Sequence, residues 1–555
     1  MKKFYTILLS LLLLAPALAA QKRNGANGSD KKGNTQVEQS RRFNALNKIN
    51  LVAAAVSRLY VDVIDEDTIA EKTIAAMLKQ LDPHSTYLPP HEAQQTLETL
   101  SGKFDGIGIQ INMLEDTLFV VQTVVGGPSE KAGILPGDRI ISVDDSIVAG
   151  VKLAVNDIIT MLRGKRGSKV SIGIMRRGVA KPISFTITRD KIPVNSIDAT
   201  YMLDDTTGYI RLSRFAESSA EEMEKAVKSL RKEGMRNLIL DLQGNGGGYL
   251  NVAVKIADMF LDKDQLIVYT EGRNVRRAQE IATGNTLLPD ERVVVMVDEL
   301  SASASEILAG ALQDWDRAVI VGRRTFGKGL VQRPITMPDK SLLRLTVARY
   351  HTPTGRCIQR PYVKGENEAY DQDLNERLAH GELLHADSIH FTDSLQYKTL
   401  RIGRTVYGGG GIMPDVFVGL DTARYTAYHR QLLRRGILNR SIYTYLDNHR
   451  REIISKYRKV SKFIDQYEID NQLWATLDTL ATETGIKPKD DAEKEASKPL
   501  IAVQLKALLA RDLYNSTSTY YMIYNPTNPI YRKAMEIICS DKYNKLCLLY
   551  TSDAA

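Results

Sequence analysis

The stretch that decides the fold is Val293-Val-Val-Met-Val-Asp-Glu-Leu-Ser-Ala-Ser-Ala-Ser-Glu-Ile-Leu308. Its first five residues are all apolar, and a run of this length and β-branched character is typical of a strand buried on both faces. A helix is predicted to follow over Ser305–Trp315. The same alternation recurs on either side, as the strands Leu238–Leu242 and Ala318–Val321 and the helix Val252–Leu261. Strands that alternate with helices predict an α/β core.

A different pattern lies upstream of this core. Between Gly102 and Lys191, apolar and polar residues alternate with the period of two that is typical of half-buried strands. One amphipathic helix interrupts the strands at Val155–Leu162, where apolar residues recur at intervals of three and four. The sequence therefore predicts a compact β-rich domain before the core.

The outer regions have the patterns of a leader, a linker and helical segments. Met1-Lys2-Lys3 and the apolar run Tyr5–Leu14 precede the small residues Ala17 and Ala19, which is the pattern of a cleaved secretory signal peptide. A membrane anchor, the alternative, needs about 20 apolar residues, and this run is shorter. The predicted order is a signal peptide (1–20), a flexible linker (21–42), an N-terminal helical domain (43–101), the β-rich domain (102–190), the α/β core (191–422) and a C-terminal helical region (423–555).

Composition argues against several classes of function. Lysine and arginine number 74 against 66 acidic residues, and a net charge of +8 over 555 residues does not predict nucleic-acid binding. The three cysteines form no Cys-x-x-Cys pair, and His91-Glu92 begins a metallopeptidase motif in which Gln95 replaces the second histidine. We therefore expect neither a zinc ribbon nor a metallopeptidase site. The leader predicts a periplasmic or cell-envelope location, without stable insertion into the membrane.

Three segments of the core carry the residue types of an acyl-transfer site. Gly322–Gly329 is similar to a phosphate-binding loop, but Gly329 stands where the Mg²⁺-binding serine or threonine would be, and an extended segment follows. Lys328 therefore needs another role. Ser303-Ala-Ser-Glu306 is a turn that is also a capping box for the next helix. The glycine-rich loop Gly244–Gly248 is either a plain turn, a phosphate loop or a source of backbone N–H groups for an oxyanion.

Together these segments suit one reaction. A hydroxyl nucleophile needs a base and an oxyanion hole, and no histidine lies near the Ser303 turn in the sequence. Lys328 can serve as the base if burial and neighbouring charges lower the pKa of its amine toward neutrality. Serine with lysine is a known variant of the serine-protease constellation. The residues therefore favour a protease-like centre built on Ser303 and Lys328.

On these residues and on further motifs, the chain resembles the C-terminal processing (tail-specific) peptidases. The resemblance covers residues 43–420, and the motifs occur in the family's order. It implies a core of the kind shared by crotonase-like and caseinolytic peptidases, with a PDZ domain in series and flanking helical regions. The matching motifs are Leu81-Asp-Pro-His-Ser-Thr-Tyr-Leu-Pro89, Phe104-Asp-Gly-Ile-Gly108, Ser301-Ala-Ser-Ala-Ser-Glu-Ile307, Thr325-Phe-Gly-Lys-Gly-Leu-Val-Gln332, Leu345-Thr-Val-Ala-Arg-Tyr-His-Thr-Pro-Thr-Gly355 and Gly410-Gly-Ile-Met-Pro-Asp415.

The resemblance also implies a role for each side chain of the site. Ser303 is expected to be the nucleophile, Lys328 the general base, and Gln332 the partner that orients the lysine amine. Glu306 is expected to support the serine turn, so that capping and catalysis are compatible at this position.

The oxyanion hole implied by the resemblance is made of backbone N–H groups, those of Ala304 and Gly247. The chain departs from the family pattern nearby. Gln243 stands where the glycine loop of the family usually has arginine, and Asp298-Glu299-Leu300 occupies a place where an asparagine is common. Neither departure removes a catalytic atom, although the change at Gln243 bears on the rigidity of the loop.

The β-rich domain resembles a PDZ domain. In such domains the loop before the first core strand holds a terminal carboxylate, and the peptide tail adds as a strand, here between Ile107–Ile111 and the Val155–Leu162 helix. A purely structural β-domain is the alternative. The residues expected to bind the peptide are Phe104, Gly106, Ile107, Gly108 and Ile109.

The sequence thus predicts a secreted serine endopeptidase that acts on protein substrates with free C-terminal tails and needs no metal and no organic cofactor. The resemblance implies that the helical regions build a homodimer or larger assembly, or dock an accessory protein, and the sequence leaves these alternatives open. A catalytically silent PDZ scaffold of the same fold is one rival function. A crotonase-like acyl-thioester enzyme is another, against which the signal peptide argues because acyl-CoA is cytoplasmic.

Overall fold

A computed structural model describes residue 44 and residues 47–114, 116–422 and 424–547. The predicted signal peptide and linker lie outside these residues. Contacts divide the chain into two units, residues 1–73 and residues 74–555. In the first unit, residues 47–59 are helical. Within the described residues, no helix combines the length and the apolar character that crossing a membrane requires.

The region predicted as an N-terminal helical domain is mainly helical. Its elements are the helix α1 (Glu66–Lys79), the short strand β1 (Thr86–Leu88) and the helix α2 (Pro90–Ser101). The strand was not predicted, and it pairs antiparallel with residues 342–344 of the core. The turn before it, residues 82–85, is thereby brought against the core.

The predicted β-rich domain is confirmed as a small antiparallel sheet. Its order is β3-β4-β5-β7-β8, with β6 paired to β5, while β2 and β9 form a separate ribbon. The predicted helix is present with the predicted bounds, and a short helix after Gly127 was not predicted. The elements are β2 (Lys103–Gly106), β3 (Ile109–Leu114), β4 (Thr117–Thr123), α3 (Pro128–Ala132), β5 (Arg139–Val143), β6 (Ser146–Ile147), α4 (Val155–Leu162), β7 (Lys169–Met175), β8 (Ile183–Thr188) and β9 (Asp190–Pro193).

The core contains two sheets. The larger has the order β10-β11-β12-β15-β16-β21 and is parallel except for β10, and the smaller has the order β1-β18-β13-β14 with β17 on β18. The elements are β10 (Ile197–Met202), β11 (Thr207–Leu212), α5 (Ser219–Lys232), β12 (Asn237–Asp241), α6 (Leu250–Asp258), β13 (Leu266–Glu271), β14 (Ala278–Ile281), β15 (Arg292–Val297), α7 (Ala304–Asp314), β16 (Val319–Gly322), β17 (Leu330–Thr336), β18 (Leu342–His351), α8 (Asn367–Ala379), β19 (Gln396–Lys398), β20 (Thr405–Tyr407) and β21 (Val416–Phe417).

The C-terminal region is helical, as predicted. Its helices are α9 (Ala427–Arg434), α10 (Ile437–Lys456), α11 (Val460–Gln466), α12 (Asn471–Glu483), α13 (Asp491–Tyr514), α14 (Thr517–Tyr524), α15 (Pro529–Ile538) and α16 (Lys542–Leu546).

The parallel sheet is buried on both faces, which explains its continuous apolar runs. Val293 and Val295 of β15 point into a cluster with α5, α6 and α7. Val294 and Met296 of the same strand belong to a second cluster, which includes Ile537 of α15 and residues of α16. The last described helices are therefore part of the packing of the core, an arrangement that the helical pattern alone did not reveal.

Candidate active site

Three loops meet at the carboxyl ends of three neighbouring parallel strands. The glycine-rich loop follows β12, the serine turn follows β15, and the loop with Lys328 follows β16. In open α/β sheets this edge is where ligands bind. The three segments singled out in the sequence are adjacent because their strands are adjacent.

The serine turn is fixed to the glycine loop by the serines on either side of Ser303. Ser301 Oγ donates to the carbonyl of Leu242 at 2.9 Å, and Ser305 Oγ donates to the carbonyl of Asn245 at 2.8 Å. Ser303 itself has φ 57° and ψ −112°, a backbone conformation that costs energy for a residue with a Cβ. Its side chain lines a cavity, whereas its two neighbours are used for structure.

Gly247 comes closest to this turn, and its conformation requires glycine. Its φ is 99°, and a Cβ there would lie 2.8 Å from Ser303 Cβ and 2.9 Å from Ala304 N. The two residues predicted to form the oxyanion hole are therefore side by side. The N–H of Gly247, however, donates to Asn245 Oδ1 at 2.9 Å. In this structure that donor is already occupied, which the glycine pattern could not show.

A buried carboxylate joins the serine turn to the lysine loop. Glu306 Oε2 accepts the N–H groups of Ser303 at 2.7 Å and of Lys328 at 2.9 Å. Its Oε1 accepts Thr325 Oγ1 at 2.6 Å and the N–H of Gly327 at 2.7 Å. Burial raises the pKa of Glu306, and these hydrogen bonds oppose that rise. The capping-box prediction for Glu306 is confirmed, and the carboxylate holds the lysine loop as well.

Tyr350 makes a second bridge, which the sequence reasoning missed. Its hydroxyl donates to the carbonyl of Lys328 at 2.7 Å and lies 3.2 Å from the carbonyl of Ser303. Burial raises the pKa of Tyr350 well above its usual value, so the hydroxyl remains a donor. The residue lies within the quoted motif Leu345–Gly355, but nothing in that motif indicates which side chain turns inward.

Lys328 is half-buried, and its amine is bonded to a neutral side chain. It donates to Gln332 Oε1 at 2.9 Å, and Gln332 Nε2 in turn donates to the carbonyl of His84. Burial and the nearby Arg344 lower the pKa of Lys328 to about 8, against the opposing effects of Glu306 and Asp82. Such an amine is partly neutral near physiological pH.

One cavity of about 310 Å³ brings these groups together. Ser303, Lys328, Gln332 and Gly247 all line it. The other walls are mostly apolar and come from α2, α7 and the smaller sheet. They include Leu97, Leu100, Ile307, Leu330, Val331 and Leu342. The arrangement provides a hydroxyl, a half-buried amine and an apolar space beside them.

The lysine loop lacks two features that a phosphate site needs. The N–H of Gly327 is bound by Glu306, and β17 follows where a phosphate loop would open a helix. In the part of the chain that the structure describes, no group of three or more metal-ligating side chains occurs.

The predicted peptide-binding residues of the β-rich domain fall on two elements. Phe104 and Gly106 are in β2, paired with β9, whereas Ile109 begins β3. Ile107, between the strands, is buried in the core of the domain. Among the described strands, β3 is paired only with β4 and forms one edge of its sheet. Gly108 is buried between β2 and β3.

Family models match three parts of the chain. Residues 206–368 match peptidase family S41, residues 106–188 match the PDZ domain, and residues 428–515 match a family of unknown function, DUF8443. The fold and these matches define a serine-type peptidase with an α/β core, a PDZ domain and flanking helices.

Curated relatives show which group of serine-type peptidases the chain is similar to. The carboxy-terminal processing protease CtpB of Bacillus subtilis (strain 168) is 37% identical over 333 residues, which is 60% of this chain and 69% of that protein. A carboxy-terminal-processing protease of Bartonella bacilliformis is 37% identical over 305 residues, 54% of this chain and 69% of its own length. The chain belongs to the carboxy-terminal processing proteases of peptidase family S41.

A solved structure titled photosystem II D1 C-terminal processing protease is also similar to the chain. It is 28% identical, with a TM-score of 0.33, and the match covers 65% of this chain and 84% of that one.

Proposed function

We propose that the chain is a secreted endopeptidase in which Ser303 is the nucleophile and Lys328 the general base. One observation carries this assignment. The amine of Lys328, with a pKa lowered to about 8, lines the same cavity as the hydroxyl of Ser303. A lysine amine must be neutral to accept a proton, and burial is the physical means of making it so.

The reaction follows from these groups. Neutral Lys328 accepts the proton of the Ser303 hydroxyl while Oγ bonds to the carbonyl carbon of the substrate. The resulting ammonium then gives its proton to the leaving amine as the peptide bond breaks. The same amine then takes a proton from water as the water oxygen bonds to the acyl carbon. The Lys328 ammonium gives that proton to Ser303 Oγ as the ester bond breaks, which releases the carboxylic acid product and restores the free enzyme.

The remaining residues support this sequence of steps. Gln332 accepts an N–H of the Lys328 amine. The lone pair of the neutral nitrogen therefore points away from Gln332. Glu306 fixes the backbone on both sides of the site. The negative oxygen of the intermediate is expected to receive the N–H groups of Ala304 and Gly247, the latter after its bond to Asn245 is shared or released.

The PDZ domain is assigned the recognition of substrate tails. The edge position of β3 supports this, since an extended peptide can pair there with main-chain hydrogen bonds. The residues 104–109 are proposed to hold the terminal carboxylate. Partners are therefore protein substrates with free C-terminal tails. The leader pattern of residues 1–20 supports export to the periplasm or envelope.

The first experiment compares cleavage of an unfolded protein by the wild type, Ser303→Ala and Ser301→Ala. Ser303→Ala is expected to lower the rate by at least about a thousandfold, because only the nucleophilic oxygen is lost. Ser301→Ala is the matched control, since it deletes a hydroxyl from the same turn that is bonded to Leu242. Cleavage that persists in Ser303→Ala contradicts the assignment, and a wild type without any cleavage favours the scaffold alternative.

A second experiment tests whether the PDZ domain recognises the free C-terminus of a substrate. One peptide is supplied as the free acid and as the C-terminal amide, and the rates are compared. The amide lacks the charge that residues 104–109 are proposed to bind, and a charge-assisted hydrogen bond is worth about 1.5–3 kcal/mol, so at least about a tenfold defect is expected. Equal rates would show that this domain does not sense the chain end.

A further inference from the structure

The motif Asp82-Pro-His-Ser85 was quoted above without a role, and the structure places it behind the lysine. The carbonyl of His84 accepts Gln332 Nε2, on the side of the carboxamide opposite Lys328. A carbonyl oxygen is an acceptor only. It can therefore bond the amide nitrogen of Gln332 and never its oxygen, so this contact decides which way the carboxamide faces.

The direction of the carboxamide matters for the base. With Oε1 toward the amine, Gln332 accepts an N–H of Lys328, and the nitrogen lone pair remains free for the proton of Ser303. With the carboxamide reversed, Nε2 would donate to that lone pair and compete with the serine. Only the first orientation leaves neutral Lys328 able to act as a base.

The carbonyl of His84 is held by a buried carboxylate. Asp82 Oδ1 accepts the N–H groups of His84 at 2.9 Å and of Ser85 at 3.0 Å, and its Oδ2 accepts Ser85 Oγ at 2.6 Å. Thr346 Oγ1 also donates to Asp82 Oδ1, at 3.0 Å, and the N–H of Thr346 donates to Ser85 Oγ at 3.1 Å. The turn is thereby attached to β18, the strand that pairs with Gln332.

The imidazole of His84 fixes the turn from the other side. Its Nε2 lies 2.8 Å from the hydroxyl of Tyr370, and the two rings meet edge to face. Burial lowers the pKa of His84 to about 3, so the ring is neutral near physiological pH. This part of the turn does not titrate together with the lysine.

We propose that the turn over residues 82–85 is a positioning element, with Asp82 as the residue that orients Gln332 and through it the Lys328 amine. The inference rests on the proposed function, because it needs Lys328 to be the base. It adds residues that lie more than two hundred positions before Ser303 in the sequence.

The conservative variant Asp82→Asn gives the first test. It keeps the shape of the side chain but replaces one acceptor oxygen with a donor and removes the charge. We expect kcat to fall about tenfold, a loss of about 1.4 kcal/mol in transition-state stabilisation, with KM little changed. The matched control is Asp204→Asn, since Asp204 holds a similar turn through Thr206 and Thr207 at the opposite end of the sheet.

The pH profile distinguishes positioning from a general weakening of the fold. The charged groups that act on Lys328 are Arg344, which lowers its pKa, and Glu306 and Asp82, which raise it. Removing the charge of Asp82 and loosening the bond to Gln332 both favour the neutral amine. The acid limb of kcat/KM should therefore move to lower pH in Asp82→Asn, while Asp204→Asn leaves it in place. A partly unfolded enzyme would lose rate without moving the limb.

A double-mutant cycle tests whether Asp82 acts through Gln332. If it does, Asp82→Asn added to Gln332→Ala should cost less than about twofold, because the carboxamide it orients is gone. If Asp82→Asn still costs about tenfold in the Gln332→Ala background, the positioning role is overturned. The positioning role is also overturned if the acid limb of kcat/KM stays at the same pH in Asp82→Asn as in the wild type. Should Asp82→Asn fail to fold, Thr346→Val takes its place in the double-mutant cycle, since it removes one hydrogen bond to the Asp82 carboxylate.

The controls separate this inference from the proposed function. If Ser303→Ala or Lys328→Arg cleaves at the wild-type rate, the Ser–Lys centre itself is wrong. If both are inactive and Asp82→Asn matches the wild type in rate and pH profile, only the positioning role is wrong.

Discussion

The two halves of the site are held in different ways. The serine half comprises the Ser303 turn and the glycine loop, and the lysine half comprises Lys328, Gln332 and the turn of residues 82–85. In the serine half, hydrogen bonds made by Ser301, Ser305 and Glu306 hold the backbone. In the lysine half, the amine bonds to one side chain among the described residues, that of Gln332, and Gln332 in turn bonds to a carbonyl from a distant segment.

The difference follows from what each half is proposed to do. A nucleophile must stand at a fixed place beside the oxyanion donors, so a rigid backbone is an advantage. A base must change protonation state, and bonding its amine to a buried carboxylate would keep it charged. The neutral Gln332 orients the amine without fixing its charge.

The most severe way to break the lysine half is Lys328→Arg. A guanidinium cannot be deprotonated in proteins, so we expect activity to fall by at least about a thousandfold while the protein stays folded. In the wild type, kcat/KM should rise about tenfold per pH unit below pH 8 and level off above it, since neutral amine forms above its pKa. An active Lys328→Arg enzyme contradicts the assignment.

Glu306→Gln should break both halves at once. Its carboxylate accepts four donors from the serine turn and the lysine loop, and an amide would place its own donors against them. We expect at least about a hundredfold loss in kcat and a stability loss of about 1–3 kcal/mol, the cost of one unsatisfied buried group.

The matched control is Glu222→Gln, because Glu222 also accepts four hydrogen bonds but holds the strand entry at Ser196 and Ile197. It should lose stability in urea unfolding and keep kcat per folded molecule. If Glu222→Gln loses as much kcat as Glu306→Gln, the loss in Glu306→Gln does not come from its link between the two halves of the site.

Tyr350→Phe should loosen both halves slightly, since the hydroxyl contacts the carbonyls of Ser303 and Lys328. Loss of a single buried hydrogen bond should lower stability by about 0.5–1.5 kcal/mol. We expect kcat to fall about three- to tenfold through small displacements of Ser303 and Lys328, with an unchanged acid limb. A shifted limb would mean that Tyr350 acts on the charge of the amine.

The smallest effect is expected for Ser305→Ala. Its hydroxyl joins the serine turn to Asn245, so unfolding in urea should show a loss of about 1 kcal/mol. Peptide cleavage should remain within about twofold of the wild type. A dead Ser305→Ala enzyme would make Ser305, and not Ser303, the candidate nucleophile.

What the sequence could predict is local or follows from strand order. The short apolar runs predicted the parallel strands, and strand adjacency then brings Ser303, Lys328 and Gly247 to one edge. The spacing of Ser303 and Glu306 predicted the capping bond. These features need only the periodicity of one segment and general rules of sheet construction.

What the sequence could not predict depends on contacts between distant segments. The carbonyl of His84 is a backbone atom, so no side-chain pattern marks it as a partner of Gln332. Asn245 competes for the N–H of Gly247, although the glycine spacing indicates a free donor. Gln243, which replaces the arginine usual in the family, also bonds to a distant segment. Its Oε1 accepts a hydrogen bond from Asn528 Nδ2 at 2.8 Å.

The helices α15 and α16 cover the outer face of the parallel sheet, and this has a consequence for the order of events during synthesis. The ribosome makes them more than two hundred residues after the Ser303 turn. Until then, Ile239, Val294 and Met296 lack the apolar surface on which they pack. We therefore expect a nascent chain that ends after residue 422 to remain without a finished core. A protease assembled in this way would become active only after α15 and α16 have been made and have packed on the sheet.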